Sequence, residues 1–201
     1  MNSRDEILTA IRAQRPLVDR PLPAVPAFDR KPSRSLLATF KDSLHRMGGI
    51  FLESSASADP LAPVRAIVTG AKVICSVVPE VSGNRDITTV KKPQELADVD
   101  VAVVRASFGV IETGSVLLSD GDLRINAIAY LAQHLIVLLD PVDLVLNLHL
   151  AYRRPEFRSQ RYAAFHSGPS ATADIEGVLI HGAQGVRSLS VFPARRSHGH
   201  A

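Results

Sequence analysis

The segment from residue 167 to residue 176 carries the residue types best suited to binding a small anion. It follows an apolar run that predicts a strand, and its end predicts the start of a helix. Its candidate binding residues are Ser167, Gly168, Ser170, Thr172 and Asp174. The hydroxyl groups are hydrogen-bond donors, and Ser170 is placed to cap a helix whose positive end favours an anion. The alternative is a capped turn that binds nothing.

Two further segments contain candidate catalytic groups. Glu112 precedes Thr113, Gly114 and Ser115 at the end of an apolar run, where its carboxylate is able to act as an acid, a base or a ligand contact. His181, in a glycine-containing loop, is a candidate donor or proton exchanger. The alternatives are a solvated turn glutamate and a loop histidine without a special role. Thr113, Gly114 and Ser115 are candidate ligand contacts beside Glu112.

The rest of the sequence excludes several classes of chemistry. It contains no nucleophile elbow, no phosphate-binding loop with its lysine and no paired-histidine metal helix, so we predict no metal site. The only cysteine, Cys75, lies in an apolar run, and an iron–sulfur cluster needs about four ligands. The formal charge of +3 comes without a basic stripe interleaved with aromatic residues, which argues against nucleic-acid binding.

The elements that must position these groups predict an α/β fold. Helical patterns alternate with apolar strands, which favours a mostly parallel sheet with helices on both faces. Continuous β-branched runs indicate strands buried on both faces, and we expect 72–78, 99–104 and 135–139 to be central. A strand–turn–strand unit around Glu112 would make the sheet mixed. The remaining strand predictions are 50–52, 108–111, 115–118, 163–166 and 189–192.

The helix signals divide the chain into three parts. We predict an N-terminal helix capped at Ser3 and a proline-rich arm in residues 1–32, an α/β domain in residues 33–194, and a solvated basic tail in residues 195–201. Within the domain, helices are predicted from Ser33, from Asp59 to Gly70, and from Asp140 to about Ala151. The polar N-terminus and the lack of a long apolar stretch predict a cytoplasmic protein without a membrane span.

The motifs at 112–118, 167–176 and 181–185, with the strand at 188–192, resemble those of the LUD (lactate-utilisation) family, and the resemblance covers about residues 35–193. The N-terminal helix and arm resemble the protein C branch of that family. The resemblance implies a fold related to the sugar-phosphate isomerase and CoA-transferase-like group, which includes formyltetrahydrofolate cyclo-ligase. It also implies a part in a three-component L-lactate oxidation system whose other two subunits carry the iron–sulfur clusters. Many relatives have a basic residue where this chain has Ala171.

These observations leave three interpretations open. The first is a non-redox accessory subunit of lactate oxidation that binds a small anion and contains no cofactor of its own. The second is an independent enzyme acting on a phosphorylated or acyl substrate, and the third is a scaffold whose arm grips a partner. For the first, we predict that the loops at 112–115, 167–172 and 181–185 converge in one polar pocket, since ligands of open α/β sheets lie beyond the strand ends.

Overall fold

The computed structural model describes residues 2–15, 21, 23–55, 58–174 and 176–196. The α-helices are α1 (Ser3–Ala13), α2 (Leu36–Arg46), α3 (Ala62–Thr69), α4 (Asp120–Leu123), α5 (Ile128–Leu131), α6 (Leu148–Ala151) and α7 (Pro155–Arg158). The strands are β1 (Ile50–Phe51), β2 (Ile74–Ser76), β3 (Val101–Arg105), β4 (Phe108–Val110), β5 (Ser115–Ser119), β6 (His134–Leu139), β7 (Leu144–Val145), β8 (Ala163–His166), β9 (Ala171–Thr172), β10 (Ile180–His181) and β11 (Ser188–Pro193). Short 3₁₀ helices occupy Ile87–Thr89, Pro93–Leu96 and Pro141–Asp143.

A five-stranded parallel sheet forms the centre of the fold, in the order β1-β11-β6-β3-β2. This confirms the predicted α/β architecture and the central positions of β3 and β6. The prediction that 72–78 is central is wrong, because β2 lies at the edge. Its outer side is covered by the loop that follows it, where Asn84 accepts a hydrogen bond from the backbone N–H of Ile74 (2.8 Å) and the Arg85 N–H donates to the Ile74 carbonyl (2.9 Å). A strand can therefore be apolar and buried without being central.

The strand–turn–strand unit around Glu112 forms a second sheet, in the order β7-β4-β5-β8. Here β4 pairs antiparallel with β5 and parallel with β7, so the mixed pairing occurs in this sheet. Val116 and Leu118 of β5 face the core shared with the central sheet, whereas Leu117 packs with Phe108 in a separate cluster. Because both faces of the hairpin are apolar, it needs cover on both sides, and it packs as a layer instead of extending the central sheet.

Helices cover both faces of the central sheet, as predicted. On one face Val64 of α3 packs in the cluster that contains Val103 and Ile136. On the other face Phe40 and Leu44 of α2 join the main core. The cap of α2 is Ser35, whose Oγ accepts from the Ala38 N–H (3.1 Å), two residues after the predicted Ser33.

Two helix predictions need correction. The segment from Asp140 to Ala151 is a 3₁₀ turn, strand β7 and the short helix α6, because β7 pairs with Gly109 and Val110 and Asn147 then caps a new helix. In α1 the cap is Asn2, and Ser3 is inside the helix.

The proline-rich arm is attached to the domain at α6. The Asn147 side-chain amide donates to the carbonyls of Ala27 (2.9 Å) and Phe28 (2.8 Å), and the Phe28 ring lies 5.0 Å from the His149 ring. No described residue of α1 is buried. Within the described parts of the chain, no helix has the length and apolar character needed to cross a membrane.

Candidate ligand-binding site

His166 is the last residue of β8 and lies opposite Val116 of β5. Its Nε2 atom is buried and has no hydrogen-bond partner among the described residues. Burial lowers the pKa of the imidazole to about 4, so the ring is neutral at pH 7. A buried nitrogen without a partner costs free energy, and such a group inside a cavity indicates a place where a ligand or water would bind.

A cavity of about 180 Å³ opens beside His166. The Tyr130 ring, 5.2 Å from the imidazole ring, forms one wall, and the Tyr130 hydroxyl hydrogen-bonds to the hydroxyl of Tyr162. Burial, together with this hydrogen bond, raises the pKa of Tyr162, which keeps the phenol protonated. The lining residues are Ala129, Tyr130, Phe165, His166, Ser167, Gly168, Pro169, Ser170, Gln184, Gly185 and Val186. The volume suits a molecule of a few heavy atoms, and none of the lining side chains carries a formal charge at pH 7.

The loop after β8 does not lead into a helix, so the predicted helix cap at Ser170 is wrong. The chain instead forms a two-stranded hairpin in which β9 pairs with β10. The backbone of Ser170 is held by Val186, whose carbonyl accepts from the Ser170 N–H (2.9 Å), and by Gly182, whose N–H donates to the Ser170 carbonyl (2.5 Å). These hydrogen bonds hold Ser170 in an extended conformation. The loop therefore has no helix N-terminus whose positive end would favour an anion.

The hydroxyl groups predicted as ligand donors are bonded within the protein. Ser167 Oγ donates to the Thr113 carbonyl (3.1 Å), and Ser170 Oγ donates to the Gln184 carbonyl. Thr172 Oγ1 donates to Asp174 Oδ2 (2.9 Å), and both residues lie on the hairpin away from the cavity lining. Ser167 and Ser170 therefore present acceptor lone pairs to the cavity.

The glycines of the two main motifs have a structural explanation. Gly114 has a φ of +65°, and a Cβ there would lie 2.1 Å from the backbone nitrogen of Leu44 in α2. Gly168 has a φ of +68°, and a Cβ there would lie 1.9 Å from the carbonyl oxygen of Met47. Both turns thus contact the C-terminal part of α2 at distances that exclude any side chain. Thr113 and Ser115 share a hydrogen bond of 2.5 Å between their hydroxyls beside this contact.

Glu112 lies in a different cavity from Ser167 and Ser170. Its Oε2 accepts a hydrogen bond from the Leu148 N–H (3.0 Å) at the start of α6. The cavity beside it, of about 230 Å³, lies against the arm and includes Phe28 and Arg30. Glu112 is thus placed to orient α6 and the arm.

His181 is exposed on β10, opposite Ala171, and does not line the His166 cavity. Its Cε1 lies 3.5 Å from the position of a Cβ on Gly48, after the end of α2. The structure therefore brings the turns at 112–115 and 167–170 together but divides Glu112, Ser170 and His181 among different surroundings.

Comparison with known proteins identifies the group to which this chain belongs. A family model described as the LUD domain matches residues 82–192, more than half of the chain. The chain belongs to the LUD domain family. The match includes His166, Tyr130 and all the residues that line the cavity beside them.

The fold of this LUD domain is shared with a protein of known structure. The crystal structure of a DUF162 family protein from Deinococcus radiodurans aligns with a TM-score of 0.59 at 19% sequence identity. The alignment covers 79% of this chain and 95% of that chain, and it establishes a similar fold. No curated protein matches the chain.

Sequence reasoning missed the buried groups of this LUD domain cavity. His166 directly precedes the recognised Ser167 motif at the end of a predicted strand, which is the local signal that could have drawn attention to it. Tyr130, in α5, and Tyr162, just before β8, are 32 residues apart and meet only in the folded chain. Their pairing has no signature in the sequence.

Charged residues at the carboxyl ends of the central strands in this LUD domain are engaged within the protein. Arg105 forms an ion pair with Glu80, and the backbone N–H of Arg196 donates a hydrogen bond to Asp140 Oδ2 (2.8 Å). The Arg196 guanidinium also donates to the Ala106 carbonyl (2.9 Å). Arg196 is thus hydrogen-bonded to the domain while it remains exposed, and the solvated tail in residues 195–201 stays a prediction. Residues 197–201 lie outside the described part of the chain.

Proposed function

We propose that this LUD domain protein is a non-redox accessory subunit of an L-lactate oxidation system in the cytoplasm and that it binds a small hydroxy acid in the His166 cavity. The observation that carries the proposal is the buried, unpartnered Nε2 of His166 in a cavity of about 180 Å³ formed by the family-matched segment. We expect the electron carriers to be the iron–sulfur subunits of the same system, with no cofactor in this chain. We expect neither a metal site nor a nucleic-acid partner.

The hydrogen-bonding pattern of the cavity favours a ligand that carries a hydroxyl group. Ser167 Oγ and Ser170 Oγ have already used their protons on protein carbonyls, so both accept a hydrogen bond from a ligand hydroxyl. His166 Nε2 is able to donate to a carboxylate when the ring carries its proton there. An α-hydroxy acid supplies both groups within a few atoms.

A negative ligand should bind together with a proton. The free imidazole has its pKa lowered to about 4 by burial, and a carboxylate beside it favours the imidazolium and raises that pKa. The bound form therefore takes up a proton more readily than the free form does. Affinity for lactate should rise as the pH falls from 7 toward 4.

The state of Cys75 supports a non-redox role. The thiol is fully buried in β2, and burial raises its pKa, so the thiolate that would attack a substrate or hold a metal is disfavoured. Cys75 therefore acts as a small packing residue.

The test measures L-lactate binding to the purified protein by calorimetry at pH 7 and at lower pH. His166→Gln should weaken binding by roughly tenfold or more, about 1.4 kcal/mol, and remove its pH dependence. His45→Gln, at an exposed histidine of α2, is the matched control and should bind as the wild type does. Equal affinity in the two variants would contradict the assignment of the cavity.

The cellular role is tested separately, by lactate-dependent growth of a deletion strain complemented with each variant. Rescue by the control and not by His166→Gln supports the accessory role. Growth on lactate without the gene would contradict it. Turnover of a phosphorylated or acyl compound by the purified chain alone would favour the independent-enzyme interpretation.

A further inference from the structure

A second and larger cavity lies at the amino ends of the central strands. Its volume is about 620 Å³, within the range of about 300–1,000 Å³ that small-molecule sites occupy. It is bounded by α3 on one side and by the starts of β1, β3, β6 and β11 on the other. No residue lines both this cavity and the His166 cavity.

The floor of this amino-end cavity is apolar. Ile136 of β6 lines it but is only 1% exposed, so the open apolar surface comes from Ile67 of α3, which is half-buried, and from Ile50 of β1, which is 46% exposed. Apolar surface left open to water inside a concave site is covered favourably by the hydrocarbon part of a ligand.

Two cationic side chains line the amino-end cavity. Lys72 and Arg187 both line the cavity, and neither forms an ion pair or a side-chain hydrogen bond with a described residue. Ser190 also lines the cavity and is only 4% exposed. These are the groups that a ligand head group would engage.

The only acidic lining residue is already engaged on one oxygen. Asp100 Oδ2 accepts the backbone N–H groups of Lys72 (2.8 Å) and Val73 (2.9 Å), and these hydrogen bonds lower the pKa of the Asp100 carboxyl. The Asp100 carboxylate also interacts electrostatically with Lys72, so it offsets one of the two positive charges and leaves a net positive charge in the lining. His134, whose Nδ1 is hydrogen-bonded to Ser188 Oγ (2.8 Å), also lines the cavity.

We propose that the amino-end cavity binds an organic anion with an apolar body, whose head group pairs with Arg187 and Lys72 while its hydrocarbon part covers Ile50 and Ile67. The head group is a carboxylate or a phosphate monoester, since the planar guanidinium of Arg187 accepts either in a bidentate manner. This site is independent of lactate binding at His166.

The test titrates the full-length protein with hexanoate and with hexyl phosphate. Hexanol, which has the hydrocarbon chain without the anion, and inorganic phosphate, which has the anion without the chain, are the control probes. Amide resonances of Gly70, Ser188 and Ser190 report on the site by nuclear magnetic resonance. We expect at least one of the two anions to bind about tenfold more tightly than hexanol and than inorganic phosphate, and the tighter anion identifies the head group.

Matched variants separate this site from general surface charge. Arg187→Gln should weaken binding of the preferred anion by about tenfold and leave hexanol unaffected. Arg161→Gln, at an exposed arginine outside the cavity, should leave both unchanged. The proposal is overturned if neither anion shifts these resonances, if hexanol binds as tightly as the anions, or if the two variants weaken binding equally.

Discussion

Replacing Gly114 by alanine tests whether the central motif of this family serves packing. The turn after Glu112 meets the backbone of α2, where a Cβ on Gly114 would lie 2.1 Å from the Leu44 nitrogen. Ordinary contact begins near 3.4 Å, so the turn or the helix must move by about 1.3 Å to admit a methyl group. The movement would also disturb the hydrogen bond from Ser167 Oγ to the Thr113 carbonyl and with it one wall of the His166 cavity.

Two effects set the magnitude. A left-handed backbone costs an L-residue about 1–2 kcal/mol, and overpacking a rigid site costs about 1–3 kcal/mol. We therefore expect Gly114→Ala to lower the free energy of unfolding by about 2–5 kcal/mol, a large part of the roughly 5–15 kcal/mol of an ordinary domain. Urea denaturation followed by circular dichroism measures the change.

Gly177 provides the matched control. It has a φ of +71°, close to that of Gly114, and nothing lies within 4 Å of the Cβ that alanine would add. Gly177→Ala should therefore cost only the backbone term of about 1–2 kcal/mol. If the two substitutions destabilise the protein equally, the close approach of Gly114 to α2 does not exist and the packing explanation of the motif is refuted.

Three other changes test separate parts of the structure. Cys75→Ser should cost about 1–3 kcal/mol by burying a hydroxyl in β2, seen as a lower melting temperature, and should leave growth on lactate intact. Asn147→Asp keeps the oxygen that caps α6 but removes the two donors to the carbonyls of Ala27 and Phe28, so trypsin should cleave the arm faster. Stability should fall by up to about 3 kcal/mol as the pH drops from 7 to 4, because the unfolded state protonates His166 below pH 6.5 while burial holds its folded pKa near 4.

Each of these changes has its own control. His166→Gln should remove most of the fall in the free energy of unfolding between pH 7 and pH 4. His181→Gln, at an exposed histidine, should leave that fall unchanged. Asn126→Asp makes the same chemical change away from the arm, and equal cleavage of the two asparagine variants would contradict the attachment at α6. Loss of growth in Cys75→Ser at an unchanged melting temperature would indicate a chemical role for the thiol.

The strands were predictable where burial alone determines the pattern. Residues 135–139 are apolar throughout because β6 lies between two strands and is covered by helices on both faces. A continuous apolar run therefore predicts a strand that is buried on both faces. The same pattern in 72–78 cannot distinguish a central strand from an edge strand that a loop covers. That cover depends on Asn84, eight or more residues further along the chain.

The candidate site was less predictable because its chemistry depends on distant contacts. The Ser167 motif could be located, but whether its hydroxyls face a ligand depends on the carbonyls of Thr113 and Gln184. The helix predicted after Ser170 failed because pairing between β9 and β10, across residues 171–181, overrides the local helical signals. The burial of His166 likewise arises only from the assembled fold.

The two edges of the central sheet, β1 and β2, determine how readily another chain could add a strand to it. An unpaired strand edge is a template onto which another chain can add a strand and seed aggregates. On one side the loop through Asn84 and Arg85 already occupies the β2 hydrogen-bonding groups at Ile74. On the other side β1 has only two residues, too few for an incoming strand to gain a stable register. Both edges of the central sheet therefore offer few free backbone groups to an added strand.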